Sequence, residues 1–274
     1  MEIRWNLMRR RKRYEQSDIL VLSVAKSGRT WLRVLLNKYL SLAYHVPFGL
    51  DDLNKSNDRI PSIQFTHELW EHFSKANMRQ KLLGKYIVPD KILQSKKVLV
   101  LYRDPRDVLV SLFFQKSKRS KTKTSKDMVD FISDKHHGIH LIVRVMNQWR
   151  KRLEMHPDVF WVSYENLRQN SLDTYMDVVQ FLNFSVIHKD LAQQAIEFAQ
   201  FENMKRMETK GVLDNRIMRP GDPADQDSFK VRKGIVGGYV KYFSVKDLVS
   251  LDKEVSKLDP FFDYQAVETM NHGQ

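Results

Sequence analysis

The chain has 274 residues, of which 42% are hydrophobic and 29% charged, so it has enough apolar sequence to build a core. It contains no cysteine, which excludes a disulfide-stapled scaffold, a thiolate zinc site, an iron–sulfur cluster and a cysteine nucleophile. No stretch approaches the roughly 20 apolar residues of a membrane span, and no signal-peptide-like apolar run follows the basic start. We therefore expect a cytoplasmic protein with no membrane span.

The formal net charge of +13 is concentrated in two runs. Residues 1–13 hold six basic residues and one acid, and residues 116–126 hold six basic residues and no acid. Such a run is typical of a solvated loop, or of a patch that contacts an anionic surface. Since the rest of the chain is near neutral, we expect no nucleic-acid partner and at most a weak anionic-surface contact through residues 9–13 or 116–126. We predict a basic N-terminal segment at 1–17 and one domain at 18–274.

Short apolar runs rich in β-branched or aromatic residues predict buried strands at Ile19–Val24, Val98–Tyr102 and Val159–Ser163. A helical pattern of apolar residues follows each of them. A further extended segment, Ile63–Thr66, precedes His67. Strands that alternate with helices predict an α/β fold, here a single-domain parallel sheet flanked by helices.

The carboxyl ends of the three predicted strands are polar. They carry the loop 25–30 (AKSGRT), the pair Arg103-Asp104 and the pair Tyr164-Glu165. Because ligands of open parallel sheets gather at the carboxyl ends of the strands, we expect these residues to meet at one site. Two of the three ends are cationic, which predicts an anionic ligand.

The first strand continues into a helix through Lys26, Ser27, Gly28, Arg29 and Thr30. A loop with glycine and hydroxyl groups at a helix N-terminus offers backbone N–H groups to a phosphate-like ligand. The nucleotide-kinase pattern G-x-x-x-x-G-K-[ST] is not met, because the lysine comes first and only one glycine is present. The alternative is an ordinary strand-to-helix turn capped by Ser27 or Thr30.

The second strand ends in Arg103, where a phosphoryl-transfer enzyme would place a magnesium-binding aspartate. A cation there favours direct phosphate binding without a metal. If the predicted strand is shifted by one residue, Asp104 takes the position of a magnesium ligand. Ser111 lies in the helix that follows, and Asp107 is expected to form a salt bridge or to occupy the first helical turn. We interpret the histidines at 136, 137 and 140 as a solvated helix end.

Five segments of the chain resemble the sulfotransferases that use 3′-phosphoadenosine 5′-phosphosulfate (PAPS). They are KSGRTW (26–31), YRDPRDVLVS (102–111), SYENL (163–167), FENMK (201–205) and RKGIVGG (232–238), in that family's order. The resemblance extends over roughly 18–244. It implies the family's P-loop-like fold, PAPS as donor and adenosine 3′,5′-bisphosphate (PAP) as product, with no metal.

The resemblance also implies a set of donor-binding residues. Lys26, Ser27, Gly28, Arg29 and Thr30 would hold the 5′-phosphosulfate; Trp31, Tyr164 and Phe201 the adenine; and Arg103, Ser111, Arg232, Lys233 and Gly234 the 3′-phosphate. Arg29 departs from the threonine common at this position in animal cytosolic members.

The segment QFTH (64–67) resembles the family's strand end with a catalytic histidine. His67 is therefore expected to accept the proton of a hydroxyl or amine on a small-molecule acceptor, with Lys26 stabilising the leaving oxygen. Two other functions fit parts of the sequence: a nucleotide-dependent kinase with an atypical phosphate loop, and a non-catalytic module that binds nucleic acid or other anions. Neither explains the five ordered segments.

Overall fold

The fold is built on a four-stranded parallel sheet. The computed structural model describes residues 2–120, 124, 126–211, 222, 224–231 and 234–264. The strands are β1 (Ile19–Ser23), β2 (Ile63–Thr66), β3 (Lys97–Tyr102) and β4 (Val159–Ser163), in the spatial order β2-β1-β3-β4. The prediction of an α/β parallel sheet is confirmed. β1 ends one residue earlier than predicted, where the amide of Ser27 donates to the carbonyl of Val24 and the chain turns.

Helices surround this sheet. They are α1 (Glu2–Gln16), α2 (Arg29–Ala43), α3 (Trp70–Lys75), α4 (Met78–Leu82), α5 (Asp90–Leu93), α6 (Pro105–Phe114), α7 (Met128–Ile132), α8 (Ile139–Arg152), α9 (Tyr164–Gln169), α10 (Ser171–Leu182), α11 (Lys189–Phe198), α12 (Phe201–Lys210) and α13 (Val245–Val255). Shorter 3-10 turns cover Leu53–Lys55, Gln226–Ser228, Gly238–Tyr242 and Pro260–Phe262, and a π-helical turn at Gln115–Arg119 extends α6. In the part of the chain that the structure describes, every helix is too short or too polar to cross a bilayer.

The sheet has a hydrophobic core on each face. Successive strand residues point to opposite faces, so Leu20 and Leu22 pack with α6, α8 and α13, whereas Ile19 and Val21 pack with α2, α10 and α11. Because both faces are covered, the strands are apolar throughout rather than alternating.

The basic N-terminal segment is helical, and its second half packs against the domain. Tyr14 is 3% exposed, and its hydroxyl lies 3.1 Å from the Thr66 hydroxyl at the end of β2. Arg10 forms a 3.1 Å ion pair with Glu71 and lies 4.5 Å from the centre of the Tyr86 ring. The domain boundary after residue 17 remains a prediction, but these contacts tie α1 to the carboxyl end of the sheet.

The strand order determines where a ligand can bind. The chain leaves β1 toward β2 on one side and later reaches β3 on the other, so the connections diverge at the carboxyl ends of these strands. Such a switch point opens a crevice beside the sheet. The residues that follow the four strands meet there.

Candidate functional site

A cavity of about 450 Å³ opens at the carboxyl edge of the sheet. It is lined by the predicted site residues Lys26, Gly28, Arg29, Thr30, Trp31, His67, Arg103, Ser111, Tyr164, Phe201 and Gly234. Ser27 is buried behind the loop and does not line the cavity. Arg232 and Lys233 lie outside the described residues. The structure therefore brings together residues that are far apart in the sequence.

The loop between β1 and α2 has backbone angles that only some residues adopt. Lys26 has φ +73° and Gly28 has φ +92°, in the left-handed region. Gly28 is the N-cap of α2 and supplies no side-chain cap. The alternative of a helix capped by Ser27 or Thr30 is wrong: the Ser27 hydroxyl is buried and makes no hydrogen bond to a described residue. The N-terminus of α2 is thus left able to bind an anion.

The Lys26 ammonium lies among other cations. Burial, together with the positive charges of Lys230, Arg119 and Arg103, lowers its pKa to about 7. The pKa of Lys230 is lowered to about 7 for the same reasons. An anion bound between these groups would raise both pKa values, since it would favour their charged forms. The electrostatics therefore fit a highly charged ligand.

His67 follows β2 and lines the cavity beside this loop. Its Nδ1 lies 2.8 Å from the carbonyl oxygen of Ser23, and a carbonyl can only accept, so Nδ1 carries the proton and Nε2 keeps its lone pair. Burial, followed by the positive charge of Arg29, lowers the pKa of His67 well below its usual value. The next residue, buried Glu68, accepts a hydrogen bond from Trp149 Nε1 at 2.8 Å, which fixes the position of the chain after β2. The hydrogen bond to Ser23 thus orients the ring and leaves Nε2 as the hydrogen-bond acceptor.

Arg103 follows β3 and is held by α6. Its guanidinium donates to Asp107 at 3.2 Å and to the carbonyl of Ile235 at 2.9 Å. Asp107 also accepts from the amides of Gly237, at 2.9 Å, and Tyr239, at 3.1 Å. The predicted salt-bridge role of Asp107 is confirmed. This network joins the start of α6 to the segment that follows Gly234.

Asp104 does not take part in the cavity. It is 7% exposed, caps α6 by accepting from the Arg106 amide, and forms a 2.8 Å ion pair with the Arg106 guanidinium. The Asp104 carboxylate is therefore occupied by contacts within the fold. A magnesium-dependent kinase would need a free carboxylate at the end of this strand.

Three aromatic side chains, Trp31, Tyr164 and Phe201, line part of the cavity as an aromatic wall. The rings of Trp31 and Tyr164 meet edge to face at 5.5 Å, and Trp31 Nε1 donates to the carbonyl of Ala199 at 2.9 Å. Gly234 has φ +62°, and a Cβ at this position would lie 2.9 Å from Phe201 Cδ2. The glycine therefore permits the close approach of backbone and ring that completes this aromatic wall.

Several residues at and around the site could not be predicted from local sequence patterns. Glu208 is 1% exposed and accepts from the amides of Lys230, at 2.7 Å, and Val231, at 2.9 Å. Arg119, in the second basic run, lies 3.8 Å from the same carboxylate. Glu208 thus holds Lys230 at the cavity through contacts between distant parts of the chain, which local patterns do not reveal.

The second basic run is not a uniformly solvated loop. Within its described residues, Lys118 pairs with Asp225 at 3.1 Å and Lys126 pairs with Asp134 at 2.8 Å. Lys116 lines the cavity. Part of the run is therefore built into the fold and into the wall of the site.

The predicted solvated helix end is correct for two of its three histidines. His136 and His140 are exposed, but His137 is half-buried, lines the cavity and stacks on Phe131 at 6.1 Å. Burial and the nearby Lys116 ammonium lower the pKa of His137 to about 4. It is therefore an uncharged part of the cavity wall near neutral pH. The described residues contain no cluster of histidine and carboxylate ligands that could hold a metal.

Comparisons with known proteins agree with this geometry. The family model described as "Sulfotransferase domain" matches residues 16–261. A 3-alpha-hydroxysteroid sulfotransferase of Cavia porcellus is 26% identical over 87% of this chain and 82% of its own. Cytosolic sulfotransferase 16 of Arabidopsis thaliana is 22% identical over 86% of this chain and 74% of its own.

Solved structures share the fold. A mouse sulfotransferase complexed with PAP superposes with a TM-score of 0.61, at 19% identity over 88% of this chain and 84% of that one. A retinol dehydratase in a complex with retinol and PAP gives a TM-score of 0.56, at 19% identity over 88% and 81% of the two chains. With most of its length matched by the family model, and with a phosphate-type loop at the expected sheet edge, this chain belongs to the sulfotransferase family.

Proposed function

We propose that this protein transfers the sulfuryl group of PAPS to a hydroxyl or amine of a small-molecule acceptor, with His67 as the base. The observation that carries the proposal is that a phosphate-type loop after β1 and a neutral histidine after β2 line one cavity. PAP is named as the ligand of the similar mouse and retinol dehydratase structures, which supports the same donor here.

The residues of this chain fit such a donor in three groups. Two cations and the uncapped start of α2 support the assignment of the phosphosulfate to this loop, and the Ser27 hydroxyl, which makes no hydrogen bond to a described residue, lies buried behind them. The aromatic wall offers an apolar surface for adenine. The groups are Lys26, Ser27, Gly28, Arg29 and Thr30 for the phosphosulfate, Trp31, Tyr164 and Phe201 for adenine, and Arg103, Ser111 and Gly234, with Arg232 and Lys233, for the 3′-phosphate.

The donor supplies an activated sulfuryl group. In the proposed step the acceptor atom attacks sulfur in line, the bond from sulfur to the bridging oxygen breaks, and its electron pair stays on the phosphate of the departing PAP. His67 Nε2 takes the proton of the acceptor. Lys26 and the first amides of α2 stabilise the negative charge that develops on the departing oxygen, and hence the transition state more than the ground state. Because side chains supply the positive charge that the phosphates need, the proposed step requires no metal ion.

The low pKa of His67 fits its proposed role. A base must be unprotonated before reaction, and both burial and the neighbouring cations favour the neutral imidazole. The hydrogen bond from Nδ1 to the Ser23 carbonyl becomes stronger as the ring gains charge, so it supports the proton transfer.

The names of the relatives support a small-molecule acceptor and a cytoplasmic location, which we propose for this chain too. A weak contact with an anionic surface remains a prediction, and it fits the N-terminal run better. Arg11, Lys12 and Arg13 are exposed, whereas much of the second run is paired with acids or lines the cavity.

The proposed function is tested by calorimetric titration with PAP, beside ATP with and without magnesium, on wild type and Arg103→Ala. We expect PAP binding that needs no metal and weakens at least tenfold in the variant, about 1.4 kcal/mol. Lys246→Gln, at an exposed lysine of α13, is the control and should bind PAP like wild type. Magnesium-dependent ATP binding with no PAP binding would replace the proposal with a kinase.

A further inference from the structure

The cavity wall carries more positive charge than the proposed donor site uses. Its described lining residues include eight basic side chains and two carboxylates. Five of the basic residues belong to none of the three donor groups: Lys75, Lys116, Arg168, Lys230 and Lys241. The cavity is therefore cationic beyond the charges that the proposed donor site uses.

The two carboxylates do little to offset this charge. Asp107 is already occupied by Arg103 and by two backbone amides. Glu71 is shared between Arg10 at 3.1 Å and Lys75 at 3.0 Å. Neither acid is placed to neutralise the remaining lysines.

Several positive charges surround the proposed base. The cations that lower the pKa of His67 are Arg29, Lys75 and Lys230. The Arg29 side chain makes no ion pair with a described residue, and burial followed by the charge of Arg33 lowers its pKa to about 10. The acceptor must approach His67 to lose its proton, so it enters this positive field.

Lys116 lines the same cavity and is available to bind an anion. Its ammonium forms no ion pair in the described part of the chain, and Asp134, the acid whose charge acts on it, is engaged by Lys126 at 2.8 Å. Beside it stand the uncharged ring of His137 and the indole of Trp70, which is 3% exposed. An apolar wall next to a cation suits a ligand with a hydrocarbon body and an acidic group.

We propose that the acceptor is an acid: a hydroxyl compound whose carboxylate, or other anionic group, is bound by Lys116 while its hydroxyl lies at His67. The inference rests on the proposed sulfuryl transfer and adds the chemical class of the acceptor. Arg29, Lys75 and Lys230 strengthen the field that attracts the anion. A charge-assisted hydrogen bond of this kind corresponds to an affinity gain of about tenfold to a hundredfold.

The test compares acids with their own methyl esters, which lack the negative charge and carry one added methyl group. Three pairs cover three scaffolds: 4-hydroxyphenylacetate for phenols, cholate for steroid alcohols and glucuronate for sugars. We expect kcat/KM to favour the acid by about tenfold or more in at least one pair, and less so at high salt. Lys116→Gln should remove most of that preference and Lys116→Arg should retain it. Lys246→Gln, at an exposed lysine of α13, should keep the wild-type ratio.

The possible failures are distinguishable. Esters used as well as the acids in every pair would overturn the inference, and so would transfer to none of the acids by a protein that binds PAP. An acid preference that survives in Lys116→Gln would overturn the role of Lys116. Absence of PAP binding would instead reject the proposed function itself.

Discussion

Gly28 connects the backbone of the phosphate-type loop to the aromatic wall, so Gly28→Ala should damage both. A Cβ at this position would lie 2.5 Å from Tyr164 Cδ2 and 2.9 Å from Cε2. The ring has little room to move, because Arg103 lies 4.3 Å from its centre and Trp31 packs against it. The left-handed φ costs alanine about 1–2 kcal/mol and displacement of the ring about 1–3 kcal/mol. We expect the free energy of unfolding to fall by about 2–5 kcal/mol.

Urea unfolding and PAP titration measure the two consequences, and two glycines provide matched controls. Gly84 also has positive φ, +63°, but its Cβ would meet nothing within 4 Å, so Gly84→Ala isolates the backbone cost. Gly49→Ala has neither the strain nor the contact. PAP affinity should fall about tenfold or more in Gly28→Ala alone. The reasoning is refuted if Gly28→Ala matches Gly84→Ala in stability and binds PAP like wild type.

Three further predictions address the base, the support of Arg103 and the charge of the loop. His67→Gln should lower kcat by about 10²- to 10⁴-fold in steady-state assays while PAP affinity stays within about twofold; unchanged kcat would contradict the assignment. Asp107→Ala should lower the free energy of unfolding by about 3 kcal/mol in urea, because it leaves Arg103 without its buried partner; a change of a few tenths would exclude that role. Lys26 and Lys230, with pKa values lowered to about 7, lose their positive charge as pH rises from about 6 to 9. The Kd for PAP should therefore increase over this range, and binding near pH 7 should take up protons from the buffer. A pH-independent Kd with no proton uptake would contradict this.

The sheet and the anion-binding edge were predictable because their signals are local. Strands buried on both faces must be continuous apolar runs, and Ile19–Val24 is such a run. The carboxyl ends of parallel strands converge whatever the details of packing, which placed Arg103 and Tyr164 at one site. His67 was found through the resemblance of QFTH (64–67) to the strand end that carries the family's histidine.

The remaining parts of the site depend on tertiary contacts. Nothing in the sequence around Glu208 shows that it will be buried against the amide of Lys230. In the second basic run the residues look alike, yet Lys116 lines the cavity, whereas Lys118 pairs with an acid elsewhere. Which member of a charged run faces inward is decided by the π-helical turn that extends α6, and that turn has no sequence signature.

The packing of α1 has a practical consequence for anyone who trims this protein. The family match begins at residue 16, so a fragment cut at that boundary would lack Arg10 and Tyr14. Thr66, the residue before His67, would lose its hydroxyl contact with Tyr14. Of the ion pairs that Glu71 forms with Arg10 and Lys75, the one with Lys75 would remain. Such a fragment would retain every residue of the family signature and still alter the surroundings of the proposed base. The N-terminal helix should be treated as part of the minimal folding unit.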